Sequence, residues 1–260
     1  MTLLVKTRRL NRLLQKSAGS SVVVLQMAEM LKDILHSNVY ILHQKNKLLG
    51  HAIHQDENDS EINQVIINEK EFPIASNDLF SHLEETFSNV ESHHAYTDIS
   101  VQMNDLFEQK FIMIVPLVGS NHRLGTLVLT RNTQSFQDED FIIAEYGATV
   151  LAMDMLREQS ELVEQESRGK AIVQVAISSL SYSELEAIEH IFVELDGKDG
   201  LLVASKIADR VGITRSVIVN ALRKLESASV IESRSLGMKG TYIRILNDQF
   251  IGSIQQIKKN

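Results

Sequence analysis

Apolar positions in the first half of the chain follow two different periods. Where they recur every three or four residues they indicate an amphipathic helix, and continuous apolar runs of about four to eight residues favour buried strands. The stripe that begins at Val22, for example, continues through Leu31 to Leu35 with helical spacing. The patterns predict helices at 3–16, 22–37, 58–71 and 77–87, and strands at 38–43, 48–53, 111–118 and 123–130.

The predicted strands form the basis of a first domain. The two runs that begin at Phe111 and Arg123 are apolar enough to lie in the centre of a sheet that is covered on both faces. The first two strands are predicted to form a hairpin across Gln44–Lys47. The fold class is therefore α+β, with an antiparallel sheet and flanking helices in a sensor-like domain over residues 1–137.

A long helix is predicted to follow this domain. Asp138 is a suitable N-cap, and acidic side chains near it complement the positive end of the helix dipole. An apolar face runs as far as Leu156, and the segment 157–170 is highly charged. This change indicates an exposed linker helix, which we assign to residues 138–180.

The C-terminal domain is predicted to occupy residues 181–260. It begins with Ser181 and Glu184, which have the spacing of a capping box at the start of a helix over about 182–195. The segment Leu195–Gly200 is then predicted to be a turn.

The segment Ala204–Arg223 has the pattern of a helix-turn-helix motif. Ala208 falls where the two helices must approach closely, and Gly212 falls where the turn favours positive φ. Thr214 precedes the second helix, where its hydroxyl is predicted to accept a bond from a free backbone N–H. Such a second helix docks its N-terminal end against base edges, so the motif predicts DNA binding. An ordinary helical hairpin would not require all these positions together.

The residues after the motif predict a wing. Two short strands are expected within 231–246, around a turn that contains Gly237 and Gly240. Eight Lys and Arg residues against three acidic residues lie between Ala204 and Arg244, in a chain whose net charge is −8. A basic patch confined to one part of an acidic chain favours contact with phosphates.

Composition limits the class of protein. A length of 260 residues with 43% hydrophobic and 23% charged residues is ordinary for a globular protein with two domains. No apolar run approaches the roughly 18 residues of a membrane span, and the N-terminus lacks the pattern of a signal peptide. A cytoplasmic location without membrane contact is expected. The absence of cysteine excludes disulfides, thiolate zinc sites and cysteine nucleophiles.

Other candidate chemistry fails on spacing. His51 and His54 would point to opposite faces of a strand and lack the acidic partner pattern of a zinc site. The segment Gly119–Thr126 lacks the lysine of a phosphate-binding loop and precedes a strand, which favours a hairpin turn. The sequence therefore supports neither an enzyme, a metal site nor a cofactor.

Three segments resemble the CodY family, the global nutrient-responsive transcription repressors of low-GC Gram-positive bacteria. They are Ser179–His190, Val203–Glu226 and Ile231–Tyr242, with a further likeness at 123–126 and 144–150. The resemblance implies a GAF-type N-terminal domain that binds branched-chain amino acids, a long linker helix and a C-terminal winged helix-turn-helix. It also implies homodimers on A+T-rich palindromic double-stranded DNA and, in many members, a response to GTP.

The resemblance implies positions for the effectors as well. Residues that match the amino-acid pocket of the family are Tyr40, Phe72, Pro73, Thr97, Ile99 and Val101, with Ile99 in place of an aromatic residue. The family arginine that clamps the ligand carboxylate falls within residues 60–62, which here are Ser-Glu-Ile, and a glutamate cannot supply a bidentate donor pair. At the hairpin associated with GTP, Lys47 is retained, whereas Gln44 and Asn46 replace a basic residue and a glycine.

These observations predict a dimeric transcription repressor whose small-molecule effector is isoleucine, leucine or valine, with GTP as a second effector. One alternative is a GAF-domain regulator with a different or lost effector, and another is a nucleotide-hydrolysing enzyme. Ser216 matches a phosphorylated serine of the family, where a phosphate would repel DNA. The predicted DNA contacts are Ala204, Ser205, Lys206, Thr214, Arg215, Ser216, Val217, Asn220, Arg223, Lys224, Arg234, Ser235 and Lys239.

Overall fold

The computed structural model divides the chain into two compact units. The N-terminal unit is Met1–Gln159 and the C-terminal unit is Ser160–Asn260. The described residues are 2–16, 22–54, 61–73, 79–89, 97–107, 110–195 and 197–257. The boundary between the units falls inside one long helix, and the three-part division at 137/138 and 180/181 stays a prediction.

The N-terminal unit contains an antiparallel sheet with helices on both sides. Among the described residues the sheet has five strands in the order β2-β1-β5-β4-β3. The strands are β1 Asn38–His43, β2 Leu48–Ala52, β3 Phe87–Ser88, β4 Phe111–Gly119 and β5 His122–Arg131. The helices are α1 Leu3–Lys16, α2 Val22–Leu35, α3 Glu61–Glu69, α4 Thr97–Phe107 and α5 Asp138–Ser178, the last of which continues into the C-terminal unit.

Both faces of the sheet are buried, as the apolar strands predicted. Successive side chains of a strand point to opposite faces. Leu127 and Leu129 accordingly lie in a core with residues of α1, α2 and α5. Val128 lies in a second core on the other face, together with Tyr40 and Phe72. We call this second core, which is rich in aromatic residues, the aromatic cluster.

A buried ion pair joins the end of the sheet to the start of α5. The Arg131 guanidinium donates to the Asp140 carboxylate at 2.6 Å, and it is 4.1 Å from the ring centroid of Phe136. Its other N–H groups donate to three backbone carbonyls, including that of Leu35 at 2.7 Å. The Asp140 carboxylate also accepts the backbone N–H of Gln137 at 3.1 Å. This network ties β5, α2 and α5 together.

The C-terminal unit is built around a smaller sheet. Its strands are β6 Asp199–Leu202, β7 Ile231–Ser235 and β8 Thr241–Ile245, in the order β6-β8-β7. Its helices are the end of α5, α6 Tyr182–Glu194, α7 Ala204–Val211, α8 Arg215–Ser227 and α9 Gln249–Ile257. The capping box of Ser181 and Glu184 is confirmed, with both of its hydrogen bonds present. Side chains of all these helices contribute to one core, in which Phe250 contacts Phe192 edge to face.

Several predicted elements differ from the structure. The helix predicted over 77–87 is wrong over 79–87: 79–82 forms turns, 83–86 is irregular, and Phe87 pairs with Ile114 as part of a strand. Strand pairing determines the conformation here, although the apolar spacing resembles that of a helix. Positions 58–60 and 77–78 of the predicted helices lie outside the described residues. Elements that the patterns did not predict are β3, α4, β6 and α9.

The start of α5 is also corrected. Asp138 is the first residue of the helix rather than the residue before it. Asp140, one turn into the helix, supplies the carboxylate that accepts the N–H of Gln137. An acidic residue was correctly predicted at the N-terminus of the helix. The carboxylate that accepts the backbone N–H, however, belongs to Asp140, which is also paired with Arg131.

Replacement of Asp140 by Asn should leave the buried Arg131 cation without a negative charge. We expect the free energy of unfolding to fall by about 3 kcal/mol, which is typical when one partner of a buried pair is removed. Urea denaturation followed by circular dichroism measures the change. Glu29→Gln, at the more exposed pair with Lys32, is the control, and its cost should stay below about 1 kcal/mol. Equal effects of the two substitutions would contradict a stabilising role for the Arg131–Asp140 pair.

Candidate DNA-binding and effector sites

Helices α7 and α8 form the helix-turn-helix. Gly212 ends α7 with φ of +77°, a left-handed conformation that favours glycine, and its N–H donates to the Ala208 carbonyl. Ala208 is buried where α7 packs in the core, as its position in the motif predicted. Ile207, Ile218 and Ala221 are buried as well, and Val211 and Ile213 pack at the edge of the same core.

Thr214 occupies the N-cap position of α8, but its side chain makes no capping bond. The prediction that its hydroxyl accepts a backbone N–H is therefore wrong. The Thr214 Oγ1 atom instead lies 2.8 Å from Oγ of Ser216, so the two hydroxyls pair with each other. Both residues are exposed. The first backbone N–H groups of α8, the recognition helix, therefore receive no side-chain cap from Thr214.

Most of the predicted DNA-contacting side chains lie at the surface. On α8, Arg215, Ser216, Asn220 and Arg223 are exposed. At about 100° per residue Ser216, Asn220 and Arg223 fall within about 60° of one another, on the side of the helix away from its buried positions, and Arg215 lies at the edge of this exposed strip. The remaining exposed members of the predicted set are Ser205, Lys206, Thr214, Lys224, Arg234, Ser235 and Lys239.

Two residues of the predicted set face the core. Ala204 is buried, and Val217 is half-buried and packs against the apolar residues of the C-terminal unit. Their side chains therefore cannot read bases in the described conformation. Ala204 is the first residue of α7 and Val217 lies in the first turn of α8, so the helix-turn-helix needs both for packing.

Lys224 has an intramolecular partner. Its ammonium donates to the Glu184 carboxylate at 2.6 Å and to the Ser179 carbonyl at 2.9 Å. Glu184 also accepts the backbone N–H of Ser181 as part of the capping box of α6. Burial raises the pKa of Glu184, but the hydrogen bonds from Lys224 and Ser181 outweigh it and hold the pKa below its ordinary value. Lys224 thus fixes α8 to the start of α6.

The wing is confirmed, with a third strand that the sequence pattern did not indicate. Strand β6 pairs with β8 in the register Asp199–Arg244 to Leu202–Thr241. The Tyr242 hydroxyl donates to the Asp199 carboxylate, and this bond raises the pKa of Tyr242. Gly240, with φ of +115°, follows a short 3₁₀ turn at Gly237–Lys239, and a Cβ atom there would lie 2.4 Å from the Leu202 carbonyl oxygen. The tip of the wing therefore requires glycine.

In the N-terminal unit, part of the predicted effector set lies together. The rings of Tyr40 and Phe72 are 5.9 Å apart in the aromatic cluster, and Ile99 belongs to the same cluster. Pro73, next to Phe72, is half-buried. Thr97 and Val101 are exposed on α4, so their side chains do not enter the cluster in this conformation.

The aromatic cluster also contains residues that the sequence analysis did not select. The ring of Phe107 is 5.8 Å from that of Phe72 and 6.0 Å from that of Tyr40, and Phe80 lies 6.2 Å from Phe72. The Tyr40 hydroxyl donates to Oδ1 of buried Asn63. Phe80 lies in the segment that was wrongly predicted as a helix and Phe107 lies in α4, which was not predicted, and only the fold brings them to the same face.

The residue associated with GTP lies apart from the cluster. Lys47 is exposed at the β1–β2 hairpin, where it forms a β-bridge with Glu71. Asn46 in the same turn is buried and has a positive φ of 59°. The hairpin at this position was predicted, whereas a nucleotide contact at Lys47 stays a prediction.

A cavity of about 570 Å³ lies in the N-terminal unit, away from the predicted effector residues. The residues that line it include the apolar Pro116 and Phe141 and the acidic Glu84 and Glu145. None of the six predicted effector residues lines it. This cavity therefore gives no support to the predicted amino-acid site, whose residues lie in or near the aromatic cluster.

The described residues contain neither a metal-binding cluster nor a helix suited to a membrane. No group of three or more His, Cys, Asp and Glu side chains in the described part of the chain could hold a metal ion. Among the helices that the structure describes, none combines the length and apolar character that a bilayer span requires.

A winged helix-turn-helix with an exposed basic recognition face, in one chain with an α+β domain of this topology, defines a transcription regulator with an attached sensor-type domain. The model of the CodY GAF-like domain matches residues 2–179, and that of the CodY helix-turn-helix domain matches residues 198–258. The chain therefore belongs to the CodY family of global transcriptional regulators, which is not a class of enzymes.

Relatives support the same family over the full length. The chain is 58% identical to the global transcriptional regulator CodY of Lysinibacillus sphaericus over 258 residues, with 99% of each chain covered. It is 54% identical to that of Bacillus licheniformis over 261 residues, with 100% of each covered. A solved structure of the cofactor-binding GAF domain of the nutrient sensor CodY from Clostridium difficile is 34% identical, covering 60% of this chain and 99% of that chain, with a TM-score of 0.40.

Replacement of Glu184 by Gln should weaken the attachment of α8 to α6 in a pH-dependent manner. The folded-state pKa of Glu184 lies below its ordinary value, so its stabilisation is present above about pH 5 and is lost as the pH falls through the folded-state pKa. At pH 7 we expect the free energy of unfolding to fall by about 1 kcal/mol, because glutamine can still accept the N–H of Ser181 but can no longer form the ion pair with Lys224. The difference from the unsubstituted protein should shrink below about pH 4.

Urea denaturation at several pH values measures this difference. Glu186→Gln on the same helix is the matched control, because it removes the same charge without removing the ion pair with Lys224. A stability difference for Glu184→Gln that is independent of pH, or equal to that of the control, would contradict the role of the carboxylate.

Proposed function

We propose that the chain is a dimeric repressor that binds A+T-rich palindromic DNA through α8 and the wing, and that responds to a branched-chain amino acid. The observation that carries the DNA part is the exposed strip of α8 described above, which begins at the uncapped end of the helix with Arg215 and Ser216. Side chains at this end of a recognition helix reach base edges in the major groove.

The proposed contacts separate into two kinds. Arg215, Ser216 and Asn220 lie near the start of α8 and are proposed to face the bases, since arginine pairs with guanine and asparagine with adenine in the major groove. Phosphate contacts are assigned to the exposed groups around them, which fix orientation without reading sequence. The phosphate-contacting set is Ser205, Lys206, Thr214, Arg223, Arg234, Ser235 and Lys239.

Lys224 is left out of the proposed contacts. Its ammonium lies 2.6 Å from the Glu184 carboxylate, and it would have to leave this partner before it could neutralise a DNA phosphate. Ser216 remains a candidate phosphorylation site, because it is exposed at the end of α8 that is proposed to meet DNA. A phosphate at this position would add negative charge against the DNA backbone.

Dimerisation is proposed on two grounds, the resemblance of the chain to the CodY family and the twofold symmetry of a palindromic DNA target. A palindrome presents two equivalent half-sites, and one winged helix-turn-helix fits one half-site. A twofold pair of chains is the simplest arrangement that occupies both half-sites.

The effector assignment is supported by the aromatic cluster. Tyr40, Phe72 and Phe107 are buried in contact with one another on one face of the sheet, and an apolar environment of this kind suits the side chain of isoleucine, leucine or valine. GTP is the weaker candidate, because Lys47 is a single exposed ammonium and Gln44 and Asn46 beside it are uncharged. The second candidate function is a regulator with another effector. The observation that favours it is the exposed carboxylate of Glu61 at the start of α3, which would repel the carboxylate of an amino acid bound there.

Replacement of Arg215 by Ala should weaken binding to an A+T-rich palindromic duplex by at least about tenfold. If Arg215 also neutralises a phosphate, the slope of log affinity against log salt should become shallower by about one. Gel shifts over a series of salt concentrations measure both quantities. Arg168→Ala on α5 removes the same charge from an exposed arginine that pairs with Glu164, and it should leave both quantities unchanged. An unchanged affinity for Arg215→Ala would refute the docking of α8.

Isothermal calorimetry with isoleucine, leucine and valine tests the effector assignment. We expect at least one of the three to bind the full chain, and Phe72→Ala to weaken that binding because the variant loses apolar surface in the cluster. A chain that binds DNA normally but shows no heat with any of the three would favour the alternative effector.

A further inference from the structure

Arg123 is a half-buried cation with an incomplete set of partners. Its Nη1 donates to the Leu83 carbonyl at 2.7 Å, and its Nη2 donates to the Thr126 hydroxyl at 2.9 Å. Both acceptors are neutral. A guanidinium has five N–H donors, so the hydrogen bonds that the structure describes use only part of this capacity.

Arg131, eight residues further along the chain, is an arginine with a structural role, and its partners differ from those of Arg123. Arg131 is fully buried and meets the carboxylate of Asp140 as well as three backbone carbonyls. Arg123 forms no ion pair with any acidic residue that the structure describes. Burial without a neighbouring negative charge lowers the pKa of Arg123 to about 10. The environment of Arg123 is therefore one that a bound anion would stabilise.

The position of Arg123 relates it to the aromatic cluster. The residues that accept its hydrogen bonds are on the same face of the sheet: Leu83 belongs to the cluster, and Thr126 precedes Val128 by two residues on β5. Val128 is paired with Tyr40 on the neighbouring strand. Thr126 and Val128 are two residues, or about 7 Å, apart along β5, on the side of the sheet that carries the cluster.

We infer that Arg123 binds the α-carboxylate of the amino-acid effector while the apolar side chain of the effector packs against Tyr40 and Phe72. This inference rests on the proposed function and adds the residue that supplies the cation. It also fits the sequence of the chain, since residues 60–62 contain no basic side chain and Glu61 is exposed. A guanidinium with free N–H groups can bind a carboxylate through two parallel hydrogen bonds.

The test compares isoleucine with isoleucinamide, which lacks the negative charge of the carboxylate. Calorimetry on the full chain should show that isoleucine binds about 10- to 100-fold more tightly than the amide, the range expected for hydrogen bonds to a charged group. Arg123→Gln should bind the acid and the amide with similar affinity, because glutamine retains a donor for Leu83 or Thr126 but has no charge. Thr126→Val, which removes a neutral acceptor and keeps the cation, should retain the preference for the acid.

The ratio of the two affinities separates a ligand contact from a structural role. A purely structural arginine would lower the affinity for both ligands together and leave the ratio unchanged. If Arg123→Gln keeps the preference of the unsubstituted chain for the acid, the inference is overturned and the proposed effector survives. If the unsubstituted chain binds isoleucinamide as tightly as isoleucine, the inference is overturned without any variant. If the unsubstituted chain binds none of the branched-chain amino acids, the proposed effector itself is refuted.

Discussion

Charge that is removed from water needs a compensating charge, and this requirement shapes both units of the protein. In the N-terminal unit, the buried Arg131 meets Asp140, and their network joins the sheet to α2 and α5. In the C-terminal unit, Lys224 meets the buried Glu184, and this pair attaches the recognition helix to α6. Arg123 departs from the rule, since its partners are neutral. A site that departs from an otherwise general rule of the fold is a candidate for binding a ligand.

The C-terminal half could be predicted well because its requirements are local. A positive φ at Gly212, a close helix contact at Ala208 and a capping box at Ser181 each depend on a few neighbouring residues. The N-terminal sheet was predictable for a different reason: strands that are buried on both faces have continuous apolar runs, and β4 and β5 are such strands.

The parts that could not be predicted depend on contacts between distant residues. Strand β6 is only four residues long and exists because it pairs with β8. The segment 79–86 has apolar residues at helical spacing, but Phe80, Leu83 and Phe87 are held by the aromatic cluster rather than by a helix. Lys224 could be recognised as basic from the sequence, yet its partner lies 40 residues earlier in the chain. A charge count alone cannot distinguish a cation that is available to DNA from one that is already paired.

In the proposed function, one chain couples the binding of an amino acid to the binding of DNA. Such coupling is reciprocal, and its size is the factor by which the effector changes the affinity for DNA. The most direct measurement is fluorescence anisotropy of a labelled A+T-rich palindromic duplex, titrated with the protein at zero and at saturating isoleucine. We expect saturating isoleucine to change the dissociation constant of the protein for the duplex by at least about fivefold. Identical titration curves, at an isoleucine concentration that calorimetry shows to be saturating, would contradict it.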